Sequence, residues 1–575
     1  MDVPGACAKS GGRSLDPKPG DGEGSATRRE FFRRIRGGAA ALASTAVSFG
    51  SVAWGDQNPP DSRNQGGIER VLDSYQNRVN AAQVEAQVPI PTQITNGDEQ
   101  RYPNFIGNYS KGLPHNTIGE VDPSAYRSLL NAVRQGTAAA FEQVPLGGNT
   151  LLVNPLAGVA FDLEGTDSHQ LAIPPIPSVA SQRLADQAVE LYWMALCRDI
   201  NFLDYGTNPL ALAAAAELSQ LGSFTGPKFN GGVTPQTLFR GFTVSDVTGP
   251  YVAQFMLKAF SYGPYAMTGQ ISTYLPGIDY LTDQASWLAC QNGAGPFASN
   301  VNDPQTRFIR NGRDYAKYVH VDPNAGLLVS FTNAGIWLFE QGAPLNPGNP
   351  YTKYKTQTGF ATFGVPHFLG LLGEAHQRAC KAVWFAKWFV HRALRPEAYS
   401  GLVHITLTGQ AHYPLGNDVL NSKAVASVFT KYGTYLLPQA FPEGCPQHPS
   451  YAQGHGSMAG ACATILKAAF DGSVQFNTLN GGSIVTASED GLSLVSYNGA
   501  DADQITVNGE IDKLASNIGL ARDFAGIHWR SDYEWGLRLG EAVAISLLRD
   551  QSNDYVGEDF EGFTITKFDG TTVIV

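Results

Sequence analysis

The sequence predicts a mainly α-helical protein with small peripheral β-hairpins. Apolar residues recur at helical spacing in seven long stretches, whereas strand-like alternation is confined to two short regions. No repeat and no evident linker interrupts the chain after its first 55 residues, so we expect one large domain over residues 56–575. The predicted helices span residues 181–199, 209–221, 251–260, 369–395, 456–470, 511–524 and 533–550.

The first 55 residues resemble an export leader. Adjacent arginines, Arg28 and Arg29, precede an uncharged run rich in Ala and Ser over residues 37–55, and residues 51–53 supply a small-residue cleavage site. This order is typical of a twin-arginine signal, and the run is too weakly apolar to span a membrane. We therefore expect a bacterial protein that is exported in folded form to the periplasm or the medium.

The predicted helices place several charged residues and imidazoles at or near helix ends. Lys387 lies within the fourth helix, and Arg395 ends it before Pro396, which cannot continue a helix. His455 directly precedes the fifth helix, and Arg522 lies near the end of the sixth. Unpaired backbone groups at helix ends make these positions suited to binding ions.

Strand-like segments occupy residues 482–507 and 562–575. Turn residues divide each segment, with Asp490-Gly491 in the first and Asp569-Gly570 in the second. We expect peripheral hairpins at both places. The first lies between the fifth and sixth helices, so a site that uses both helices must close across it.

Composition excludes several classes of partner. The formal net charge is −11, and no basic cluster beyond the leader offers a surface for nucleic acid. No later apolar run is long enough to span a bilayer. At 43% hydrophobic and 16% charged, the chain can form a large core or a large subunit interface. The six cysteines are widely spaced without a Cys-x-x-Cys motif, so they predict no metal site and leave disulfide pairing open.

Three separated segments carry the residues that hold an oxyanion. They are KWFVHRALRP at 387–396, YAQGHG at 451–456 and ARDFAGIHWRSD at 521–532. Lysine and arginine can neutralise an anion, a glycine N–H can approach it closely, and histidine can transfer protons or bind covalently. Each residue alone also fits an ordinary structural role, such as a solvated helix face. Their joint occurrence predicts one anion pocket where the three segments converge.

These segments resemble the site of the vanadium-dependent haloperoxidases, which is built on Lys...Arg-Pro, Ser-Gly-His and Arg...Gly-x-His...Asp. The stretches SYQNRVNAAQ at 74–83, NPLAG and FDLEGTD within 154–167, and PGIDYLTD at 276–283 are similar to the algal bromoperoxidases and their bacterial relatives. The resemblance covers most of the chain beyond the leader. It implies the helical bundles of that family, whose oxyanion site is shared with acid phosphatases.

The resemblance implies a role for each residue of the pocket. His528 would coordinate vanadium, His455 would be the acid-base histidine, and Lys387 would polarise hydrogen peroxide. His448 would stand near the halide, beside a pocket tryptophan at Trp384. The residues implied to contact vanadate are Lys387, Arg395, Gln453, Gly454, His455, Arg522 and His528.

Two positions need separate treatment. The family serine before Gly-His is Gln453 here, whose amide can donate to an oxyanion but needs room for about two more carbons. We expect activity to survive with altered metal affinity or halide preference.

Asp532, four residues after His528, could orient that imidazole or could cap the helix that follows, and both roles are compatible.

The resemblance predicts an exported, homo-oligomeric enzyme that takes vanadate as cofactor. It would oxidise a halide, by default bromide, with hydrogen peroxide to the level of a hypohalous acid, which halogenates a small organic acceptor. Two alternatives stay open on the residues alone. An acid phosphatase would use His528 as nucleophile and His455 as acid, and a non-catalytic oxyanion-binding protein would have lost its chemistry at Gln453.

Overall fold

Helices follow the predicted periodicity over most of the chain. The computed structural model describes residues 67–295, 297–320, 328–555 and 557–575, so the leader predicted over 1–55 lies outside the described residues. The helices are α1 Gly67–Gln87, α2 Asp98–Arg101, α3 Pro123–Gln135, α4 Ala138–Phe141, α5 Gln182–Leu196, α6 Pro209–Gln220, α7 Gln284–Gln291, α8 Gly312–Tyr318, α9 Leu328–Glu340, α10 Val365–Phe385, α11 Pro396–Leu407, α12 Asn417–Leu420, α13 Lys423–Tyr432, α14 Gly454–Ala469, α15 Val507–Phe524 and α16 Arg530–Gln551.

The strands form four small antiparallel pairs, each made of two neighbours in sequence. Both predicted hairpins are present, as β5–β6 and β7–β8, while the pairs β1–β2 and β3–β4 were not predicted. The mainly helical fold with peripheral hairpins is therefore confirmed. The strands are β1 Phe260–Tyr262, β2 Tyr265–Met267, β3 Ile271–Tyr274, β4 Asn302–Arg307, β5 Val485–Ala487, β6 Leu494–Ser496, β7 Thr564–Thr566 and β8 Thr572–Ile574.

The helix predicted over residues 251–260 is wrong. A single 3₁₀ turn forms there, Gln254–Met256, and β1 follows closely. The backbone N–H of Ala253 donates to Asn517 Oδ1 at 2.8 Å, and the next N–H donates to Glu510 Oε2 at 2.6 Å. Both acceptors belong to α15. Side chains of a distant helix thus bind the backbone where the predicted helix would begin, and tertiary contacts override local propensity.

The helix predicted over residues 369–395 is divided into two elements. After α10 the chain makes a π-helical turn, Ala386–His391, which contains Lys387. Arg395 lies beyond this turn in extended conformation, as the residue before α11. Pro396 therefore opens a helix rather than ending one, as its fixed φ favours. The division lets the two cations of this segment be oriented independently.

Helices α14 and α16 pack at very close range. A Cβ on Gly460 would lie 2.1 Å from a carbonyl oxygen of α16, and a Cβ on Gly540 would lie 1.8 Å from a carbonyl oxygen of α14. Only glycine permits such an approach of two backbones. The packing brings the starts of the two helices together, where the N–H of Gln453 donates to the carbonyl of Asp532 at 2.9 Å.

The helices that carry the motifs form the centre of the molecule. α15 is buried along nearly its whole length, and α14 packs against α10, α15 and α16. Residues Leu72–Val575 form one compact unit. In the part of the chain that the structure describes, no helix is both long and apolar enough to cross a membrane. The site residues are therefore held by packed helices and by the short segments between them.

Candidate active site

Two of the three motif segments line one cavity of about 370 Å³, and the first segment, 387–396, lies behind its wall, where Arg395 contacts His448 and His528. Its wall is mainly apolar, with Val153, Phe441 and Met458 among the lining residues. Six of the predicted site residues line it: Trp384, His448, Gly454, His455, Arg522 and His528. The other four are buried and lie outside the lining set: Lys387, Arg395, Gln453 and Asp532.

His528 is fixed at both ring nitrogens. Its Nδ1 lies 2.7 Å from Asp532 Oδ2, and its Nε2 lies 2.8 Å from a guanidinium nitrogen of Arg395. Because a guanidinium can only donate, Nε2 is the acceptor and the ring proton is on Nδ1, toward the carboxylate. Burial and then the charge of Arg395 hold the pKa of His528 well below its usual value. The ring is therefore neutral, and its Nε2 lone pair accepts from Arg395 beside the cavity, a contact that a metal bound at this nitrogen would replace.

Asp532 orients this imidazole and also closes the first turn of α16. The N-cap residue is Trp529, whose backbone N–H donates to Asp532 Oδ2 at 3.2 Å. Asp532 therefore caps this helix from the third helical position, as part of a capping box, and not from the N-cap itself. The hydroxyl of Ser450 donates to the same oxygen. Burial raises the pKa of Asp532 to about 6, which leaves the carboxylate ionised at neutral pH.

Three buried cations surround the pair of His528 and Asp532, and little negative charge lies near them. Arg395 donates to the carbonyls of His448 and Ile527, and Lys387 Nζ donates to the carbonyls of Pro449 (2.7 Å) and Ser450. Burial, and then the positive charge of Arg395, hold the pKa of Lys387 well below its ordinary value. Carbonyl acceptors orient these cations without neutralising them.

Arg522 carries the least satisfied of these charges. One of its terminal nitrogens donates to the carbonyl of Val319 at 2.9 Å, whereas its Nε is buried with no partner among the described residues. Burial and the charge of Arg395 lower its pKa to about 9. An unpaired guanidinium N–H in a buried wall needs an acceptor. A bound anion would supply that acceptor and relieve the repulsion between the two guanidinium groups.

The start of α14 faces the same space. Gly454 is its first residue and lines the cavity, with a Cβ position only 3.3 Å from the Trp384 ring. A larger residue would push against that ring. Unpaired N–H groups and the positive end of the helix dipole favour an anion here.

Gln453 does not take the position expected from the sequence. Its side-chain amide nitrogen donates to the carbonyl of Gly519 on α15 at 3.1 Å, and the side chain is fully buried. Its Oε1 has no hydrogen-bond partner in the described parts of the chain. The longer side chain extends between α14 and α15 rather than into the cavity. The amide donor that we expected at the anion is used within the core.

His455 is held less tightly than His528. Its Nε2 lies 3.1 Å from the carbonyl of Val319, so this nitrogen carries the proton. Burial and the charge of Arg522 hold its pKa well below the usual range. A neutral imidazole with one anchored nitrogen can accept a proton at the other.

His448 and Trp384 stand together on one side of the cavity. Their ring centroids are 4.8 Å apart, and Nδ1 of His448 accepts from Arg395 at 3.0 Å. The same nitrogen lies 3.1 Å from the carbonyl of Pro449, so it is in contact with a donor and an acceptor. Burial and Arg395 hold the pKa of His448 well below its usual value, so the ring is neutral. The indole N–H of Trp384 donates to the carbonyl of Val153 at 3.1 Å, which fixes the plane of the ring.

Sequence reasoning missed further polar residues of the wall. His376 lies on α10 eight residues before Trp384, and its Nε2 is buried without a partner in the described chain. That spacing places both residues on one helix face, a signal that could have found it. Glu443 and His320 are hydrogen-bonded at 2.6 Å, and the His320 ring stacks on Phe441 at 3.9 Å. No local motif predicts that pair.

A buried ion pair holds the loop at residues 443–446, which forms part of the cavity wall. Lys111 contacts Glu397 at 2.9 Å and donates to the carbonyls of Glu443 and Cys445, both at 2.7 Å. Between those carbonyls, Gly444 adopts φ 59°, and a Cβ there would lie 1.9 Å from Glu397 Oε2. Glu397 follows Arg395 by two residues, so the contacts of Lys111 and Glu397 link this loop to the anion site. These residues are far apart in sequence and were not predicted.

The site as a whole defines a class of protein. Buried cations, a helix start and a neutral histidine with a fixed lone pair form an oxyanion pocket within helical bundles. A family model described as the VCPO second helical-bundle domain matches residues 367–556, the range that includes all the predicted site residues.

Full-length relatives extend this match beyond the pocket. The chain is 33% identical to a vanadium-dependent bromoperoxidase of Ascophyllum nodosum, over 90% of this chain and 95% of the relative. It is 32% identical to one of Corallina pilulifera, over 88% and 98%. The solved homohexameric structure of the second vanadate-dependent bromoperoxidase of Ascophyllum nodosum superposes with a TM-score of 0.83 at 29% identity, covering 93% of this chain and 95% of that one. The chain belongs to the vanadium-dependent haloperoxidase family.

Proposed function

We propose that the protein is a vanadate-dependent bromoperoxidase, which oxidises bromide with hydrogen peroxide and delivers the oxidised halogen to a small organic acceptor. The observation that carries the proposal is that a positive charge without a hydrogen-bond partner lies in the same site as an oriented histidine nitrogen. The buried Nε of Arg522 lacks a partner among the described residues, and His528 holds a neutral Nε2 at the cavity. Relatives that are 32–33% identical to this chain are named vanadium-dependent bromoperoxidases.

The residues present fit a tetrahedral oxyanion that also needs one nitrogen ligand. His528 Nε2 would be that ligand, because Asp532 already holds the opposite nitrogen. Arg395, Arg522 and the N–H of Gly454 would neutralise the oxygens, and Lys387 would add charge from behind Arg395. Vanadate, when bound there, supplies Lewis acidity that activates hydrogen peroxide toward attack by halide.

The remaining chemistry falls to the cavity histidines. His455 would take a proton from hydrogen peroxide at its Nδ1, since Nε2 donates to Val319, and Arg522 keeps the ring neutral and ready to accept. His448 would stand next to the halide, beside the Trp384 ring. The apolar wall around them excludes water from the reacting groups.

Assembly and location belong to the same proposal. A related bromoperoxidase forms a homohexamer, and we propose that this chain is also a homo-oligomer. The paired arginines Arg28 and Arg29 support export by the twin-arginine route to the periplasm or the medium. Detection of the protein only in the cytosolic fraction would exclude that route.

Bromination of monochlorodimedone by the purified protein tests the proposal directly. Hydrogen peroxide is added with and without vanadate, using bromide and chloride in parallel reactions. We expect turnover that requires vanadate and occurs with bromide. Turnover with chloride as well would correct the halide preference.

A phosphoester assay separates the main alternatives. A chromogenic phosphoester hydrolysed without vanadate, together with no bromination, would replace the proposal with an acid phosphatase that uses His528 as nucleophile. Neither activity, with vanadate still bound in equilibrium dialysis, would indicate an oxyanion-binding protein without catalysis.

A further inference from the structure

One methionine lies in the wall of the cavity. Met458 is on α14, one turn after Gly454, and its side chain is partly exposed where it lines the cavity. Its Cε is 3.9 Å from the point that a Cβ on Gly454 would occupy, and the Trp384 ring borders the same point at 3.3 Å. The thioether is therefore next to the backbone amide proposed to bind the oxyanion.

We propose that Met458 is a self-oxidation site, at which the oxidised halogen formed in the cavity converts the thioether to a sulfoxide. The proposal rests on the proposed function, because the oxidant is the product of that reaction. Turnover without an organic acceptor then damages the enzyme at a defined place. With an acceptor present, the oxidised halogen is consumed before it reaches the sulfur.

The chemistry balances with hypobromous acid and water alone. The sulfur lone pair attacks bromine, so an S–Br bond forms while the Br–O bond breaks and hydroxide leaves. The oxygen of water then bonds to sulfur, bromide leaves, and two protons are released, one of which neutralises the hydroxide. Sulfur loses two electrons and bromine gains two, giving sulfoxide, bromide and one proton. Methionine sulfoxide is a common and reversible oxidative product.

The product would interfere with the site it lies beside. A sulfoxide places a polar oxygen among apolar neighbours such as Phe441 and Val153. That oxygen can accept from the Gly454 N–H, which the bound anion would otherwise use. Oxidation therefore weakens anion binding and fills part of the cavity. We expect activity to decay during turnover in proportion to the sulfoxide formed.

Other methionines of the chain provide internal references. Met194 and Met256 are 0% and 3% exposed within the core, whereas Met267 is 44% exposed on strand β2. An oxidant added from solution meets Met267 most easily. An oxidant generated in the cavity meets Met458 first.

The experiment compares oxidant made inside the cavity with oxidant added outside. Vanadate-loaded enzyme turns over hydrogen peroxide and bromide without acceptor, and a second sample receives hypobromous acid alone. Peptide mass spectrometry follows the gain of one oxygen at each methionine. During turnover we expect Met458 to be oxidised at least about fivefold faster than Met267, and the order to reverse with added reagent. The same order in both samples, or oxidation of Trp384 in place of Met458, would overturn the proposal.

Variants and halide-free samples complete the test. Met458→Leu conserves side-chain volume without sulfur, so its rate late in the reaction should stay close to its own initial rate. Met267→Leu should decay like the wild type. Oxidation of Met458 at an unchanged rate by peroxide without bromide would assign the damage to peroxide and contradict the proposal. An enzyme that brominates monochlorodimedone, yet leaves Met458 unoxidised when it turns over bromide and peroxide without an acceptor, refutes this inference alone, whereas absence of bromination refutes the proposed function.

Discussion

The two histidines at the centre of the site are held in opposite ways. His528 is fixed at both ring nitrogens, by Asp532 at 2.7 Å and by Arg395 at 2.8 Å. His455 is anchored through Nε2 to the carbonyl of Val319, and its other nitrogen has no hydrogen bond within the described residues. His528 is buried and His455 is half-buried, and desolvation together with neighbouring guanidinium groups holds the pKa of both rings well below its usual value.

The difference fits the two roles that we propose, a metal ligand for His528 and a proton carrier for His455. A metal ligand needs one tautomer and one direction for its lone pair, and partners at both nitrogens of His528 impose them. A general base needs a nitrogen free to accept a proton and then to release it, which the open side of His455 provides. Placing equal charge near both rings therefore does not give them equal roles.

Removing each imidazole in turn should have the largest effects and should separate these roles. His528→Ala is expected to lose vanadate binding in equilibrium dialysis, and with it all turnover. His455→Ala should still bind vanadate, while kcat for bromination falls by about 10²- to 10⁴-fold. Equal losses of vanadate affinity in the two variants would contradict the assignment.

Asp532→Asn should weaken the site through the orientation of His528. Loss of the carboxylate charge reduces the basicity of the ring and its preference for one tautomer, so vanadate affinity should fall about 10- to 100-fold. Ser450→Ala is the matched control, because its hydroxyl contacts the same carboxylate oxygen. It should lose clearly less affinity, and an equal loss would mean that the whole hydrogen-bond network, rather than the charge, orients the ring.

His391 offers a smaller test, in which the measured quantity is the free energy of unfolding. His391 is buried with neither ring nitrogen paired among the described residues, and burial lowers its pKa to about 3. Since the unfolded chain binds this proton near pH 6.5, the unfolded state holds more protons between these values and stability falls as the pH falls. Because of this one group, the free energy of unfolding falls by about 1.4 kcal/mol for each pH unit below 6.5. Urea unfolding at pH 6 and pH 5 should show this loss of stability. The His391→Leu variant should lose less stability between these pH values, because it lacks the part that His391 causes. An identical pH dependence in the variant would contradict it.

Gln453→Ser should have the smallest effect on the anion site. The amide that it removes contacts Gly519 rather than the cavity, so we expect vanadate affinity to change by less than about threefold. Stability should fall by about 1–3 kcal/mol, because the Gly519 carbonyl loses its buried donor. A gain in affinity of tenfold or more would show that the serine reaches the anion, as the family pattern implies.

Much of the fold was predictable because helix periodicity is a local property. The helices around residues 456–470, 511–524 and 533–550 were predicted within a few residues of their observed ends. The segment at 251–260 failed because side chains of α15, distant in sequence, bind its backbone. The hairpins with Asp-Gly turns were found, whereas β3 and β4 are joined by a long segment that contains α7 and carries no short turn signal.

The sequence by itself determined which residues carry the chemistry, since cations, imidazoles and a Gly-His pair keep their character wherever the chain places them. It also allowed a contact of Asp532 with His528, because a four-residue spacing can be closed locally. Only the tertiary structure decided that Gln453 extends into the core and that His376 and Met458 join the wall. Those outcomes depend on how closely packed helices divide the space between them, and that depends on contacts across the whole chain.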